Sequence, residues 1–205
     1  MTSAICRAIL LGSLLLIASG ASAQGFFVGG ALGQARQDDY DVGGPVTVRD
    51  DSDTSYRLFG GYLISPMQGV ILSVIDLGTA RYEGPAFGGF TDALSADGVD
   101  ISYIAGLTPG AQQRVSLFGT LGVFVWDQDV RYIEQGTLYK YGDSGTSFSF
   151  GLGTEINFAK GGSSAWAVHV EWQAFKNVGQ EENSGHEYDR QVFSIGADYR
   201  FRRQR

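Results

Sequence analysis

The sequence has little cysteine, no long apolar run beyond its first residues, and a shortage of positive charge. Its one cysteine, Cys6, lies in a segment that we predict to be removed, which excludes disulfide and thiol chemistry from the mature chain. No later apolar run reaches the roughly 20 residues that a spanning helix needs. The 15 Lys and Arg residues against 22 Asp and Glu residues give a net charge of −7, which argues against nucleic acid as a partner.

The N-terminal segment has the features of a secretory signal. Arg7 supplies a positive charge, residues 8–18 form an apolar run, and residues 21–23 (ASA) match a small-x-small cleavage site. We therefore predict a cleaved signal peptide over residues 1–23 and a single domain over residues 24–205. Export without a spanning helix leaves periplasmic, secreted and outer-membrane destinations open.

Alternation of apolar and polar residues narrows that choice. In GTSFSFGLGTEINF (residues 145–158), Phe148, Phe150 and Leu152 fall on one side of an extended chain, and small or polar residues fall on the other. In a soluble sheet the apolar side would face a protein core, whereas in a membrane barrel it would face lipid. One such segment does not distinguish the two.

The same alternation recurs along the chain. The predicted strands are residues 25–36, 54–64, 69–84, 99–108, 115–133, 145–158, 165–178 and 190–201. Each reaches the roughly 9–11 residues that a tilted strand needs to cross a bilayer. Short connections alternate with long ones, and the long ones are residues 37–53, 85–98, 134–145 and 179–189. The pattern predicts an all-β fold, an eight-stranded antiparallel up-and-down transmembrane β-barrel whose long loops face outward.

Aromatic residues also gather near the ends of the predicted strands. These residues are Tyr82, Trp126, Tyr132, Trp172, Phe175 and Tyr199. They predict aromatic belts at the two membrane boundaries.

Three stretches resemble the OmpA-type eight-stranded outer-membrane barrels. They are VSLFGTLGVFVWDQD (residues 115–129), GLGTEINFAKGGSSAWAVHVEWQAF (residues 151–175) and FGGYLISP (residues 59–66). The resemblance implies a location in the outer membrane of a Gram-negative bacterium. Because the sequence ends four residues after the last predicted strand, we expect the barrel domain only, without the periplasmic domain that some members carry.

The resemblance also implies charged side chains that pair across the barrel interior. Glu155 and Glu171 match acids of that family, His169 stands where a basic partner is expected, and Ile104 replaces a lysine. On the third strand, GVILSVIDLG (residues 69–78) offers no inward acid. A pairing of Glu155 with His169 is a hypothesis that follows from this match.

Alternation alone adds further residues to the interior. The candidate lumenal network consists of Arg57, Asp100, Glu155, His169 and Glu171. Such a network is either a gate along a small aqueous path or a satisfied polar plug that fills the interior. Eight strands favour the plug, because they enclose a space just wide enough for side chains.

The sequence offers little for catalysis. It has two histidines, no Cys/His cluster for zinc and no phosphate-binding loop. Ser184, His186 and Glu187 lie together, but in a hydrophilic loop that would not orient a catalytic triad. We therefore predict a protein that is not an enzyme and that has no cofactor or metal. Its expected role is envelope structure and surface interaction through long acidic loops, and the alternatives are a small pore, a lipid-modifying enzyme and a soluble barrel.

The partners that we expect follow from the location. They are outer-membrane lipid, lipopolysaccharide and, during insertion, the barrel-assembly machinery, which would recognise the alternating apolar residues of the last strand. We expect a monomer with no nucleic-acid partner, and the sequence identifies no extracellular partner. The acidic stretch DDSD (residues 50–53) is either a divalent-cation site or a solvated negative surface.

Overall fold

The computed structural model describes residues 25–37, 47–65, 68–84, 90–107, 114–134, 137–158, 164–179 and 188–201. The predicted signal peptide therefore lies outside the described residues. The strands are β1 (Phe26–Gln37), β2 (Thr47–Asp50), β3 (Ser52–Ser65), β4 (Gln68–Gly84), β5 (Phe90–Gly106), β6 (Val115–Glu134), β7 (Thr137–Asn157), β8 (Ser164–Val178) and β9 (Tyr188–Phe201). Among the described residues, no helix is long and apolar enough to cross a membrane.

The strands close into a barrel. Every pairing is antiparallel, β1 pairs with both β3 and β9, and a pairing between β4 and β5 closes the sheet. The short β2 pairs with β4 beyond the end of β3, so it continues the wall that β3 begins. The result is a closed eight-stranded antiparallel β-barrel, which confirms the predicted fold class.

The two ends of the barrel differ. The turn end carries Phe26, Phe201 and the connections after β3, β5 and β7. The loop end carries the connections after β1, β4, β6 and β8. Because every strand runs from one end to the other, the position of a residue along its strand gives its height along the barrel axis.

The outer surface of the barrel is apolar, and the interior is largely polar. On β7, Phe148 is 49% exposed and points outward, whereas the neighbouring Ser149 is fully buried in the interior. On β9, Phe193 is 62% exposed and its neighbour Ser194 is buried. Exposed apolar side chains on every long strand form a surface that only a hydrocarbon environment covers favourably. We call this exposed apolar surface the apolar belt. It shows that the apolar side of the strands faces lipid and not a protein core, a choice that alternation alone left open.

Two strands extend further toward the loop end than the sequence predicts. β5 begins at Phe90 and β7 at Thr137, so much of the predicted loops 85–98 and 134–145 is strand. β6 and β7 pair continuously from Val115↔Ile156 to Glu134↔Thr137. Above the apolar belt the outward residues become polar and the alternation fades, although the backbone hydrogen bonds continue. The prediction of loops there was wrong for that reason.

The acidic stretch at residues 50–53 also has a different setting from the one predicted. The structure places Asp50 in β2 and Ser52 at the start of β3. Asp51 accepts a hydrogen bond from Arg36 at 2.9 Å, and Asp53 accepts one from the backbone N–H of Thr79 at 2.8 Å. Within the described ranges, no three His, Cys, Asp or Glu side chains converge as metal ligands would.

The Asp53 contact holds a bulge in β4. The register between β4 and β5 shifts between Asp76 and Thr79, and Gly78 inside the shift has φ of 69°. An added Cβ at Gly78 would lie 2.7 Å from the Cβ of Asp53, so this position requires glycine. The bulge increases the local twist, and it lies where β4 leaves the apolar belt.

Candidate functional site

The barrel interior is filled in alternating apolar and polar layers. From the turn end upward there is an apolar cluster of Phe27, Ala31, Phe59 and Ile71, and then a polar layer. Above the polar layer lies a second and larger apolar cluster, and a third cluster lies near the loop end. The chemistry of the interior therefore changes along the axis of the barrel.

A buried ion pair forms the centre of the polar layer. The Nη1 of Arg57 donates to Oε2 of Glu171 at 2.6 Å and to Oε1 of Gln173 at 3.2 Å. Its Nε donates to the hydroxyl of Ser73 at 3.0 Å, and the hydroxyl of Thr120 donates to Oε1 of Glu171 at 3.3 Å. A charged pair deep in a protein is tolerated only when other polar atoms of the pair are also bonded, and here the Nε of Arg57 and both carboxylate oxygens of Glu171 have partners.

Asp100 extends this layer across the lumen. Its carboxylate is fully buried and accepts hydrogen bonds of 2.5 Å from the hydroxyls of both Ser102 and Ser149. Nε2 of Gln173 lies 3.5 Å from the same carboxylate and connects it to Arg57. The polar layer consists of Arg57, Ser73, Asp100, Ser102, Thr120, Ser149, Glu171 and Gln173. These side chains come from β3 to β8, so the layer ties six strands together.

A second charged group lies nearer the turn end. Arg200 pairs with Glu155, and its Nε donates to Asp198 at 2.9 Å. Nδ1 of His169 lies 3.7 Å from Oδ1 of Asp198. Glu155 and His169 are opposite each other in the β7–β8 register, but the hypothesis that they pair was wrong, because Arg200 occupies the carboxylate of Glu155.

Aromatic rings surround His169. The ring centroids of Phe59 and Phe118 lie 5.5 and 6.3 Å from the imidazole, both edge to face. A Cβ added at Gly196 would meet Nε2 of His169 at 2.5 Å, so the bare backbone of β9 makes room for the ring. Among the described residues, no serine hydroxyl bonds to His169, so a Ser-His pair is not formed there.

A cluster of apolar side chains lies on the loop side of the polar layer. We call it the apolar plug, and it consists of Ala35, Ile75, Leu77, Ala96, Phe124, Trp126, Phe175, Val178 and Val192. The rings of Phe124 and Phe175 are 4.6 Å apart and fully buried. Nε1 of Trp126 donates to the hydroxyl of Ser147 at 2.8 Å, which satisfies the one polar atom of that ring.

The plug corrects the predicted aromatic belts. Trp126 and Phe175 point into the lumen and not toward lipid, because each falls on the inward positions of its strand. Trp172 and Tyr199 lie on the outward positions, and Tyr199 packs against Trp166. The side chains of Tyr82 and Tyr132 lie outside the described part of the structure.

Little open space remains between the polar layer and the plug. A cavity of about 10 Å³ lies among Ala31, Ser55, Arg57, Phe175 and Ser194. A cavity of that size holds about one water molecule. At this level the lumen is therefore packed with side chains.

Among the described residues, two buried side-chain amides near the loop end have no hydrogen-bond partner. Gln37 is 3% exposed and Gln128 is 1% exposed, and among the described residues neither has a partner for its side-chain oxygen or nitrogen. Nearby, Nη2 of the buried Arg190 donates to the carbonyl oxygen of Leu94 at 3.3 Å. Unsatisfied buried amides cost about 1–3 kcal/mol each, so this level of the lumen is less well satisfied than the polar layer.

Comparison with known proteins agrees with this architecture. The family model of the OmpA-like transmembrane domain matches residues 21–205. The chain belongs to that family. Its members are outer-membrane proteins, and this protein lies in the cell outer membrane, as the sequence predicts.

The relatives share modest identity with the chain. Outer membrane protein A of Yersinia pseudotuberculosis is 28% identical over 97% of this chain and 55% of its own length. Outer membrane protein A of Shigella flexneri is 29% identical over 70% of this chain and 39% of its own length. The chain thus spans about half the length, or less, of these curated relatives. The outer membrane protein OprG of Pseudomonas aeruginosa has a similar fold, with a TM-score of 0.53 and 16% identity over 89% of this chain and 98% of that one.

The structure divides the five sequence-predicted site residues into two groups. Arg57, Asp100 and Glu171 lie in the polar layer, and Glu155 and His169 lie at the turn end. The family resemblance predicts an inward acid on the third predicted strand, which is β4 in the structure. There Ser73 points inward and accepts a hydrogen bond from Arg57.

Sequence reasoning missed most of the partners in these groups. They are Ser73, Ser102, Thr120, Ser149, Gln173, Asp198 and Arg200. The sequence did contain a signal for two of them. Phe193 and Ile195 are apolar and lie on one face of β9, which places Asp198 and Arg200 on the opposite, inward face. Which partner each charge selects depends on register across the barrel, which alternation does not specify.

Proposed function

We propose that this protein is a non-enzymatic outer-membrane barrel with a sealed lumen, which contributes to envelope structure and presents its loop end for surface interaction. The observation that supports a sealed lumen is the apolar plug, in which side chains from six strands meet and the ring centroids of Phe124 and Phe175 lie 4.6 Å apart. Ions do not cross a packed apolar layer of this kind without a large desolvation cost.

Conductance across a planar bilayer tests the sealed lumen. The folded protein should give no current above the detergent background over a range of voltages. The variant Phe124→Ala with Phe175→Ala, which removes both rings, should conduct more than the wild type if the plug is the barrier. A steady current through the wild-type protein would instead favour the small pore that remained as an alternative.

The long β6–β7 hairpin supports the surface role. Its strands have 20 and 21 residues, about twice what a bilayer crossing needs. The excess lies at the loop end and carries exposed charged residues such as Asp127, Asp129 and Arg131. Surface interaction through acidic extracellular loops, and insertion by the barrel-assembly machinery, stay predictions. A monomer is also expected, since the β4–β5 pairing closes the wall of the barrel at the level of the apolar belt.

The absence of enzymatic activity is supported by the setting of the described histidine. His169 lies between two phenylalanine rings and near Asp198 inside the barrel, away from lipid. The sequence motif around Ser184 and His186 lies outside the described residues. Mass analysis of lipid A from cells with and without the expressed protein should show the same species, and a change in acylation would contradict the proposal.

A further inference from the structure

The outer surface of β4, β5 and β6 carries a row of acidic residues directly above the apolar belt. Asp76 is opposite Asp97, and Asp97 is opposite Asp127, so the three carboxylates are cross-strand neighbours. The row immediately below them, in the register of the same strands, is formed by Val74, Val99 and Val125. The apolar belt on this side of the barrel therefore ends sharply at an acidic row.

A row of basic residues lies above the acidic row. Arg81 on β4 is opposite Ala93, Ala93 is opposite Arg131 on β6, and Arg131 is opposite Lys140 on β7. The side chains of Arg81, Arg131 and Lys140 are all exposed on the outside of the barrel. We call these three residues the basic row. They stand out in a chain whose net charge is −7.

None of the three cations of the basic row has a hydrogen bond or ion pair with any residue that the structure describes. Other exposed cations near the loop end are paired, Arg36 with Asp51 and Lys176 with Asp189. Like charges directly opposite each other on neighbouring strands destabilise a sheet. The pair Arg131 and Lys140 therefore favours an anion beside it. Asp129 lies in the row directly below, opposite Gly142, but among the described residues no ion pair joins it to either cation.

The height of the basic row above the apolar belt restricts which kinds of anion can reach it. Six residues separate Val125 from Arg131, which is about 20 Å along a strand and about 15 Å along the membrane normal at a tilt of 35–45°. The headgroup region of an ordinary phospholipid leaflet is only about 5–7 Å deep. Phosphates at the height of the basic row must therefore be carried on a larger headgroup, such as an oligosaccharide.

We propose that the basic row binds the phosphates of a phosphorylated glycolipid of the outer leaflet, of the lipopolysaccharide type, whose acyl chains cover the apolar belt below. The acidic row repels phosphate at the lower level and so favours contact at the upper one. Guanidinium and ammonium groups donate charge-assisted hydrogen bonds to phosphate oxygens. This inference depends on the outer-membrane location and on the outer surface, and is independent of whether the lumen is sealed.

Binding of purified lipopolysaccharide to the folded full chain in detergent micelles tests the site. The variant Arg131→Gln with Lys140→Gln removes both opposed cations without removing any contact described for them. Because charge-assisted hydrogen bonds to phosphate are stronger than neutral ones, the affinity for lipopolysaccharide should fall at least about tenfold. The charge-preserving exchange Arg131→Lys with Lys140→Arg should keep most of the affinity, and heat-dependent gel migration checks that each variant is folded.

The matched control is Arg36→Gln with Lys176→Gln, which removes the same charge from exposed positions on β1 and β8. It should change the affinity less than about twofold, since those cations are already paired. Lipopolysaccharide stripped of its phosphates, and vesicles of phosphatidylglycerol, should bind the wild type no better than they bind the Arg131/Lys140 variant. Equal losses in the two double variants, or an affinity for phosphatidylglycerol with the same dependence on the basic row, would overturn the proposal.

Discussion

The polar layer and the apolar plug fill neighbouring levels of the same lumen by opposite means. In the polar layer, Arg57, Glu171 and Asp100 are held by directed hydrogen bonds between six strands. In the plug, Phe124 and Phe175 are held by contact alone. A polar network fixes the register of the strands because each bond needs one partner, whereas an apolar cluster excludes water whatever its exact contacts.

The largest effect should follow from removing the single cation of the polar layer. Arg57→Met leaves Glu171 and Asp100 buried without a positive partner, and removing one member of a buried ion pair costs about 3–5 kcal/mol. Urea unfolding of the protein in lipid vesicles should show that loss. Arg57→Met combined with Glu171→Gln should recover part of the stability. If the double variant is no more stable than Arg57→Met alone, the ion pair is not what holds the layer.

A smaller loss should follow from a cavity in the plug. Leu77 is 1% exposed, and its truncation to alanine should cost about 2–4 kcal/mol through lost burial and an unfilled cavity. The same urea unfolding measures it. Leu152→Ala is the matched control, because its side chain is 56% exposed on the outside of the barrel and leaves no internal cavity. Equal losses at the two positions would contradict the assignment of Leu77 to a packed interior.

The smallest effect should be a gain. Gln128 is buried just above the plug, and its amide has no partner among the described residues. Gln128→Met has a similar shape and removes that amide, so the free energy of unfolding should rise by about 1 kcal/mol. Gln173→Met, in the polar layer, changes the same kind of side chain but breaks bonds to Arg57 and Asp100, and it should lower the stability. If both variants lower the free energy of unfolding, the side-chain amide of Gln128 has a hydrogen-bond partner in the folded protein and the prediction is wrong.

Much of the barrel wall is predictable from alternation. Residues 115–133 were predicted as a strand and β6 spans Val115–Glu134, since its apolar outward positions are visible in the sequence. Near the loop end the prediction fails. Residues 137–144 of β7 are outside the apolar belt and lack its pattern, and their strand structure comes from pairing with β6.

The candidate site shows a similar limit. The inward direction of Glu155 follows from the neighbouring Ile156 and Leu152, which face outward. Its partner does not follow, because Arg200 lies on a strand that is not adjacent to β7 in the sheet and approaches across the interior. Family resemblance placed a basic partner at His169, but aromatic rings and Asp198 surround that residue.

The sequence by itself determined that this chain is a membrane-spanning barrel with charged side chains directed inward, because a period of two places every second residue on one face of a strand. Tertiary structure decided which charges meet, where the lumen is closed, and that Arg81, Arg131 and Lys140 form one row on the outer surface. The physical reason is that closing the barrel sets the stagger between strands. That stagger determines which residues become neighbours across the lumen and across the outer wall.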